Sequence, residues 1–412
     1  MELYEHQKIK SKELHKVLTR YKCAYLRGEV RSGKTLTVLE TARLYNAKNV
    51  LFITKKKAIS SILSDYNLFK FQYNIEVINY ESIHKATIKP DLIVYDEAHV
   101  LSGFPKPAKR VKTIKATYYK TPCIWLSGTP AAESYSQWYH QLYVNISSPF
   151  KAYSNFYKWA KDFVTITEKR IGTHTVKDYS DANKDAIEKI LKPYSVTMTQ
   201  AQAGFKTVIK EHFLEVQTPK GLHNLVKKLL KDKAIEGQKG YIMGDMPAKL
   251  QSKVHQIYNG TCILEDINGE SIPHIFSDYK AQFIKERFKA KKIAIMYYYQ
   301  SELEVLKNVF KSDLTTDLVE FNSTSKSIAV QQSSTEGMNI SKAECLVYYN
   351  LHFSGKNYIQ SRDRLTVKER PKNDVYFIVE NPGINKDIIK RVREKKDFNL
   401  SAFYETASKI EN

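Results

Sequence analysis

Along the chain, short runs of β-branched and aromatic residues alternate with stretches in which apolar side chains recur every three to four positions. Cys23–Arg27, Val50–Thr54, Val77–Asn79, Leu92–Tyr95 and Cys123–Leu126 predict one set of strands. Ile293–Tyr297, Ile328–Gln332, Cys345–Tyr349 and Val375–Val379 predict a second. Runs that are apolar at successive positions need cover on both faces, which calls for parallel sheets between layers of helices. The reading is therefore two α/β domains, 1–205 and 206–412. Within the first, about 135–180, the pattern turns aromatic and helical, then alternates across Val164–Thr167 and Thr173–Val176 around Ile171-Gly172, which suggests a hairpin. Residues 218–236 read as an amphipathic Lys-rich helix, and Lys386–Lys396 as a basic one.

Composition narrows the class. The chain has 412 residues, 42% hydrophobic and 26% charged, with 15 Gly and 12 Pro, which excludes collagen, a disulfide mini-protein and a mostly disordered chain. No apolar run approaches the roughly 18 residues of a membrane helix, and the first residues lack a signal-peptide plan, so a cytoplasmic location is expected. Cys23, Cys123, Cys262 and Cys345 stand far apart without metal-ligand spacing and read as buried free thiols. Charge changes the picture more: 65 Lys+Arg against 44 Asp+Glu give +21, which draws in polyanions. Residues 1–150 carry 23 basic and 12 acidic side chains against 19 and 16 in residues 291–412, so the surplus leans to the N-terminal part.

The chemistry centres on Gly28-Glu-Val-Arg-Ser-Gly-Lys-Thr35, between a strand and a helix whose apolar positions are Leu36, Val38, Leu39 and Ala42. Gly28 and Gly33 let backbone N–H groups close around phosphates, with Arg31 and Ser32 in the same loop. Lys34 would reach the terminal phosphates, and the Thr35 hydroxyl would ligate Mg²⁺. Some sixty residues on, the strand Leu92–Tyr95 ends in Asp96-Glu-Ala-His99, where a parallel sheet exposes its ligand crevice. Asp96 would hold the metal shell, and Glu97 would orient and deprotonate an attacking water.

The phosphate loop, Asp96-Glu-Ala-His99 and Ser127-Gly-Thr-Pro130, in this order and spacing, resemble motifs I, II and III of superfamily 2 helicases and translocases of the Swi/Snf-like branch. Leu3-Tyr-Glu-His-Gln7 is similar to the Q motif, which implies that Gln7 reads the adenine edge. Val50–Lys55 and Asn79-Tyr80-Glu81 look like motifs Ia and Ib, implying nucleic-acid backbone contacts for Thr54, Lys55 and Tyr80. Ile293–Tyr299, Ser333–Ile340 and Gln360-Ser-Arg-Asp-Arg364 look like motifs IV, V and VI. They imply Ser333 at the nucleic acid, Gly337 and Gln360 near the nucleotide, and Arg364 as a finger on the departing phosphoryl group. His99, Ser127 and Thr129 would couple hydrolysis to motion. One departure from the pattern is Val367, where the family usually has a second arginine; Arg364, Arg362 and Arg370 all stay open as the finger.

The resemblance implies two tandem RecA-like P-loop domains with a cleft between them, ATP and Mg²⁺ as cofactors, and nucleic acid as partner, DNA ahead of RNA with both open. It implies an ATP-driven translocase or helicase of the DEAH type. Replication or recombination proteins would be further partners, and the chain would act as a monomer. Lys outnumbers Arg 53 to 12, which with the compact size suggests a phage-type member working in the host cytoplasm, in replication, recombination or repair. The alternative is a nucleotide-switched DNA clamp without processive movement. Lys55–Lys57 as a solvated loop, and Arg362 with Arg364 as a surface pair, are the plain readings of those residues.

Overall fold

Strands apolar at every position bury alternate side chains on opposite faces, and the central strands of the first sheet do this. The computed structural model describes residues 2–131, 134–171, 174–334, 338–367, 370–394 and 398–411. The chain divides into two units, Met1–Phe205 and Lys206–Asn412.

In the first unit, β1 (Cys23–Gly28), β2 (Asn49–Thr54), β3 (Asn74–Asn79), β4 (Leu92–Tyr95) and β5 (Cys123–Ser127) precede an antiparallel hairpin of β6 (Val164–Ile171) and β7 (His174–Ala182). The chain then returns through β8 (Ser195–Met198) to complete a six-stranded parallel sheet in the order β3-β2-β4-β5-β1-β8. Tyr25, Ile53, Tyr95 and Trp125 pack on one face, while Leu26, Phe52, Val94 and Leu126 pack on the other. Helices α1 (Glu5–Tyr21) and α2 (Lys34–Leu44) cover the second face, where Leu14, Leu18, Val38 and Leu39 are buried. The expected hairpin forms; its turn, residues 172–173, lies outside the described residues.

The second unit contains a further six-stranded parallel sheet. Its members are β9 (Val208–Gln217), β14 (Ile293–Tyr297), β15 (Leu314–Thr315), β16 (Ser327–Gln331), β17 (Cys345–Tyr348) and β18 (Lys372–Asn381), in the order β15-β16-β14-β17-β18-β9. Between β9 and β14 the chain builds an antiparallel sheet from β10 (Ala234–Gly237), β11 (Gly240–Met243), β12 (Thr261–Glu265) and β13 (Ser271–Ile275). The Lys-rich helix expected at 218–236 is present as Lys220–Asp232, and the basic one as Asn385–Arg393. Each unit is thus a parallel α/β sheet flanked by helices, the class expected. All four cysteines are buried and free. Among the described residues no helix is long and apolar enough to cross a membrane.

Candidate phosphate-binding and acid site

Strand order dictates where the polar groups meet. The phosphate loop leaves the C-terminal end of β1, the acids follow β4, and Ser127 ends β5, which lies between those two strands. Motif residues far apart in sequence therefore share one edge of one sheet.

The loop is held from several sides. Arg31 and Gly33 adopt left-handed backbone conformations, φ +63° and +85°. A Cβ at Gly33 would stand 2.3 Å from Gln7 Nε2, and one at Gly28 would stand 2.4 Å from Lys34 Cγ. Neither position has room for a side chain. α2 begins at Lys34 with no side-chain cap and no acid in its first turn, so its positive end is left uncompensated at the loop. Lys34 Nζ donates to the carbonyls of Gly28 and Glu29, both at 2.9 Å. Thr35 follows, half-buried in the first turn. Ser32 Oγ is buried without a hydrogen-bond partner, a donor whose burial costs free energy unless something accepts it.

Gln7 is 2% exposed. Its Oε1 accepts from Tyr4 N at 3.0 Å, its Nε2 lies 3.4 Å from the Gly33 carbonyl, and His6 Nε2 donates to the Ser32 carbonyl at 3.1 Å. The structure therefore uses Gln7 to back the phosphate loop. Sequence reasoning missed the support from the other side. Glu29 N donates to Met198 O at 2.9 Å, Gln200 N donates to Glu29 Oε2 at 2.6 Å, and Gln200 Nε2 donates to Val30 O at 2.9 Å. Gln200 lies 171 positions from Glu29, and no local signal reveals it.

The acids are braced by two residues expected at the nucleic acid instead. Thr54, 0% exposed, donates its hydroxyl to Asp96 Oδ2 at 2.7 Å. Tyr80, 2% exposed, donates its hydroxyl to the Asp96 carbonyl at 2.7 Å. Both side chains are buried: Thr54 ends a strand packed between two others, and the Tyr80 ring fills the core. Lys55 and Ser333 keep partly or fully exposed positions, the latter in the turn Gln332–Ser334.

Burial pushes the Asp96 carboxyl above its usual range, with the neighbouring Glu97 charge adding to the rise. Burial would raise Glu97 as well, but His99 beside it, 3.1 Å away, and the charges of Lys34 and Lys55 outweigh it and hold Glu97 low. The adjacent acids thus divide into one that resists ionisation and one that keeps its charge. Glu97 sits at φ +50°, a left-handed turn that directs its carboxylate to His99. His99 Nδ1 lies 3.1 Å from Glu97 Oε2 and 3.1 Å from Ser127 Oγ, and Ser127 Oγ also accepts from Thr129 N at 3.1 Å. Thr129 Oγ1 is buried without a partner. A Cβ at Gly128 would stand 3.1 Å from the Gly28 carbonyl and 3.8 Å from Lys34 Nζ, so the β5 turn touches the loop itself. Among the described residues no group of three or more His, Cys, Asp or Glu could hold a metal ion. A cation at Thr35 and Asp96 would need phosphate oxygens to complete its shell.

In the second unit, Arg370 donates to the carbonyls of Ser341 and Ala343 at 3.0 and 2.8 Å. Arg362 lies 3.7 Å from Glu211 and over the Tyr358 ring. Arg364 is half-buried in the turn Asp363–Leu365 that follows the helix Gly355–Arg362. Gln360 is on that helix, but its side chain, like Gly337, lies outside the described residues. Val367 accepts from Thr207 Oγ1 and Arg370 N through its carbonyl.

No family model matches the chain, and no curated protein matches it. Among solved structures it is similar to the Sulfolobus solfataricus SWI2/SNF2 ATPase core in complex with dsDNA, at 14% identity and TM-score 0.43, covering 100% of this chain and 94% of that one. It is also similar to the Pyrococcus furiosus Hef helicase domain, at 12% identity and TM-score 0.49, covering 92% of this chain and 97% of that one.

Proposed function

We propose that the chain is a nucleic-acid-dependent ATPase of the superfamily 2 type, which holds the triphosphate in its first unit and couples hydrolysis to movement along DNA. One observation carries this reading: Lys34, Asp96, Glu97 and the His99–Ser127 pair converge on one sheet edge, joined through the Gly128 contact with the loop. The residues fit a bound triphosphate. Gly28 and Gly33 leave no space for a Cβ, and the orphaned Ser32 and Thr129 hydroxyls are suited to phosphate oxygens. MgATP, when bound, supplies the phosphoanhydride and the cation that polarises it.

The chain's own groups divide the remaining work. Lys34 and the uncapped start of α2 offset phosphate charge; Thr35 and Asp96 would hold the cation, with Asp96 oriented by Thr54. Glu97, kept ionised by His99, Lys34 and Lys55, can accept a proton from the attacking water. His99 shares one ring nitrogen between Glu97 and Ser127, so a change at the carboxylate shifts the β5 turn that touches Lys34. Arg364 is our finger assignment, on its place in the stretch Gln360–Arg364 that resembles motif VI. Lys55 and Ser333 remain the proposed track contacts. The DEAH-type motif and the lysine-rich composition support a phage-type enzyme of DNA replication, recombination or repair.

ATP turnover measured alone and with single-stranded, double-stranded and forked DNA and with RNA tests this. Strong stimulation by DNA is expected. ATP binding without turnover on any of them would instead identify a nucleotide-switched clamp.

A further inference from the structure

A cavity of about 890 Å³ lies between α1, the C-terminal end of α2 and the segment 69–74. It is not the phosphate site. The loop precedes the N-terminal end of α2, whereas the cavity meets Glu40, Arg43 and Leu44 at the other end, some 15 Å away at about 1.5 Å per residue. It also reaches Asn74, where β3 begins, and Lys48, just before β2 begins. It therefore opens towards the sheet edge opposite the one that carries Asp96 and Ser127.

Its chemistry is two-sided. Phe69, Phe71 and Tyr73 form an aromatic row, with Phe69 and Phe71 stacked at 6.2 Å and 18° and Phe71 and Tyr73 at 5.8 Å. Phe69, at the end of the row, is half-buried. The two acids that line the cavity are already paired, Glu2 with Lys8 at 3.1 Å and Glu40 with Arg43 at 2.6 Å. Lys12, Lys48 and Lys70 also line it, are exposed, and have no ion pair among the described residues. Three ammonium groups without an acidic partner around an aromatic floor offer a place for an anion. An acidic peptide would satisfy the charge and leave the rings unused. A base on a phosphodiester chain satisfies both, because every base has a face to stack and every linkage has a charge.

We infer that this cavity binds nucleotide units of a single nucleic-acid strand, with a base against Phe69 and phosphates on Lys12, Lys48 and Lys70. The site is separate from the proposed ATPase centre and does not depend on hydrolysis there. The test uses the full chain and a short fluorescent oligothymidylate titrated across a range of salt. Replacing Lys12, Lys48 and Lys70 together by Gln should flatten the dependence of log affinity on log salt by about 2, at roughly 0.7 per single-strand phosphate contact. Phe69→Ala should weaken binding about tenfold without altering that slope. An oligonucleotide carrying a photoreactive thiobase should crosslink within the segment 66–74. An unchanged slope in the triple variant with crosslinks elsewhere overturns the site. So does saturable binding of thymidine monophosphate that the oligonucleotide does not displace, which would make the ligand a free nucleotide. Circular dichroism verifies that the variants fold. ATP turnover in the same proteins, whose phosphate-loop residues are intact, reports separately on the ATPase reading.

Discussion

Thr54→Val removes one hydroxyl and preserves shape, so it isolates the bond that orients Asp96. Thr54 is fully buried, and its Oγ1 lies 2.7 Å from Asp96 Oδ2, a carboxyl that a bound cation would hold ionised. A hydrogen bond to a charged group contributes about 1.5–3 kcal/mol. If that bond serves to present a carboxylate to a magnesium ion, its loss should lower kcat/KM for MgATP by roughly 10- to 150-fold, at about 1.4 kcal/mol per decade. Part of the loss should be recovered by raising Mg²⁺, because the damage lies in holding the cation. DNA affinity should be unchanged, since the side chain is fully buried. Steady-state ATPase assays at several Mg²⁺ concentrations, with DNA binding measured beside them, check this. Unaltered kcat/KM, or a selective loss of DNA affinity, would refute the reasoning and return Thr54 to the nucleic-acid interface.

Tyr80→Phe should lower stability by about 1 kcal/mol through the lost bond to the Asp96 carbonyl, again with DNA affinity intact, as read by denaturant melts and binding titrations. The Lys280–Glu380 pair in the second unit is completely buried at 2.7 Å, with Asn259 and Asn385 completing its hydrogen bonds. Lys280→Met alone should cost about 3–5 kcal/mol in urea unfolding, whereas also replacing Glu380 by Leu should recover much of it. Burial holds His255 down to about 3, and His140 and His352 to about 4. The unfolded chain therefore binds more protons at these sites below pH ~6.5, and stability should fall as pH drops from there. Glu302, pushed up by burial to about 7, works in the opposite direction, losing stability as pH rises from its ordinary range towards 7. With three histidines against it, urea midpoints measured across mildly acidic pH should fall towards acid, and a flat or inverted profile would contradict the burial of these rings.

The sequence was most readable where physics is local. Runs apolar at every position become the central parallel strands, and the glycine-bordered loop sits at the strand-to-helix turn that its pattern requires. The antiparallel sheet β10–β13 escaped because its strands are short; β10 and β11 each bury a single residue, leaving no periodicity to detect. β9 escaped because it is an edge strand with no fully buried residue, held by β18 more than 150 positions away. The resemblance put Thr54 and Tyr80 at the nucleic acid, and nothing local in the sequence reveals their bonds to Asp96. Thr54 faces Asp96 because β2 lies beside β4, with Ile53 opposite Tyr95, a register that spacing alone does not contain. The Gln200–Glu29 brace has the same origin, since only the return of the chain through β8 brings Gln200 alongside the loop.

The loop at residues 28–35 and the acids beside it should act together as a hydrolytic triphosphate site. ATP turnover by the full chain in the presence of DNA, compared with Lys34→Ala and Glu97→Gln, measures it most directly. Turnover is expected in the parent chain, weakened nucleotide binding and no turnover in Lys34→Ala, and retained binding without turnover in Glu97→Gln. Turnover that survives both changes would place the chemistry elsewhere and contradict the account.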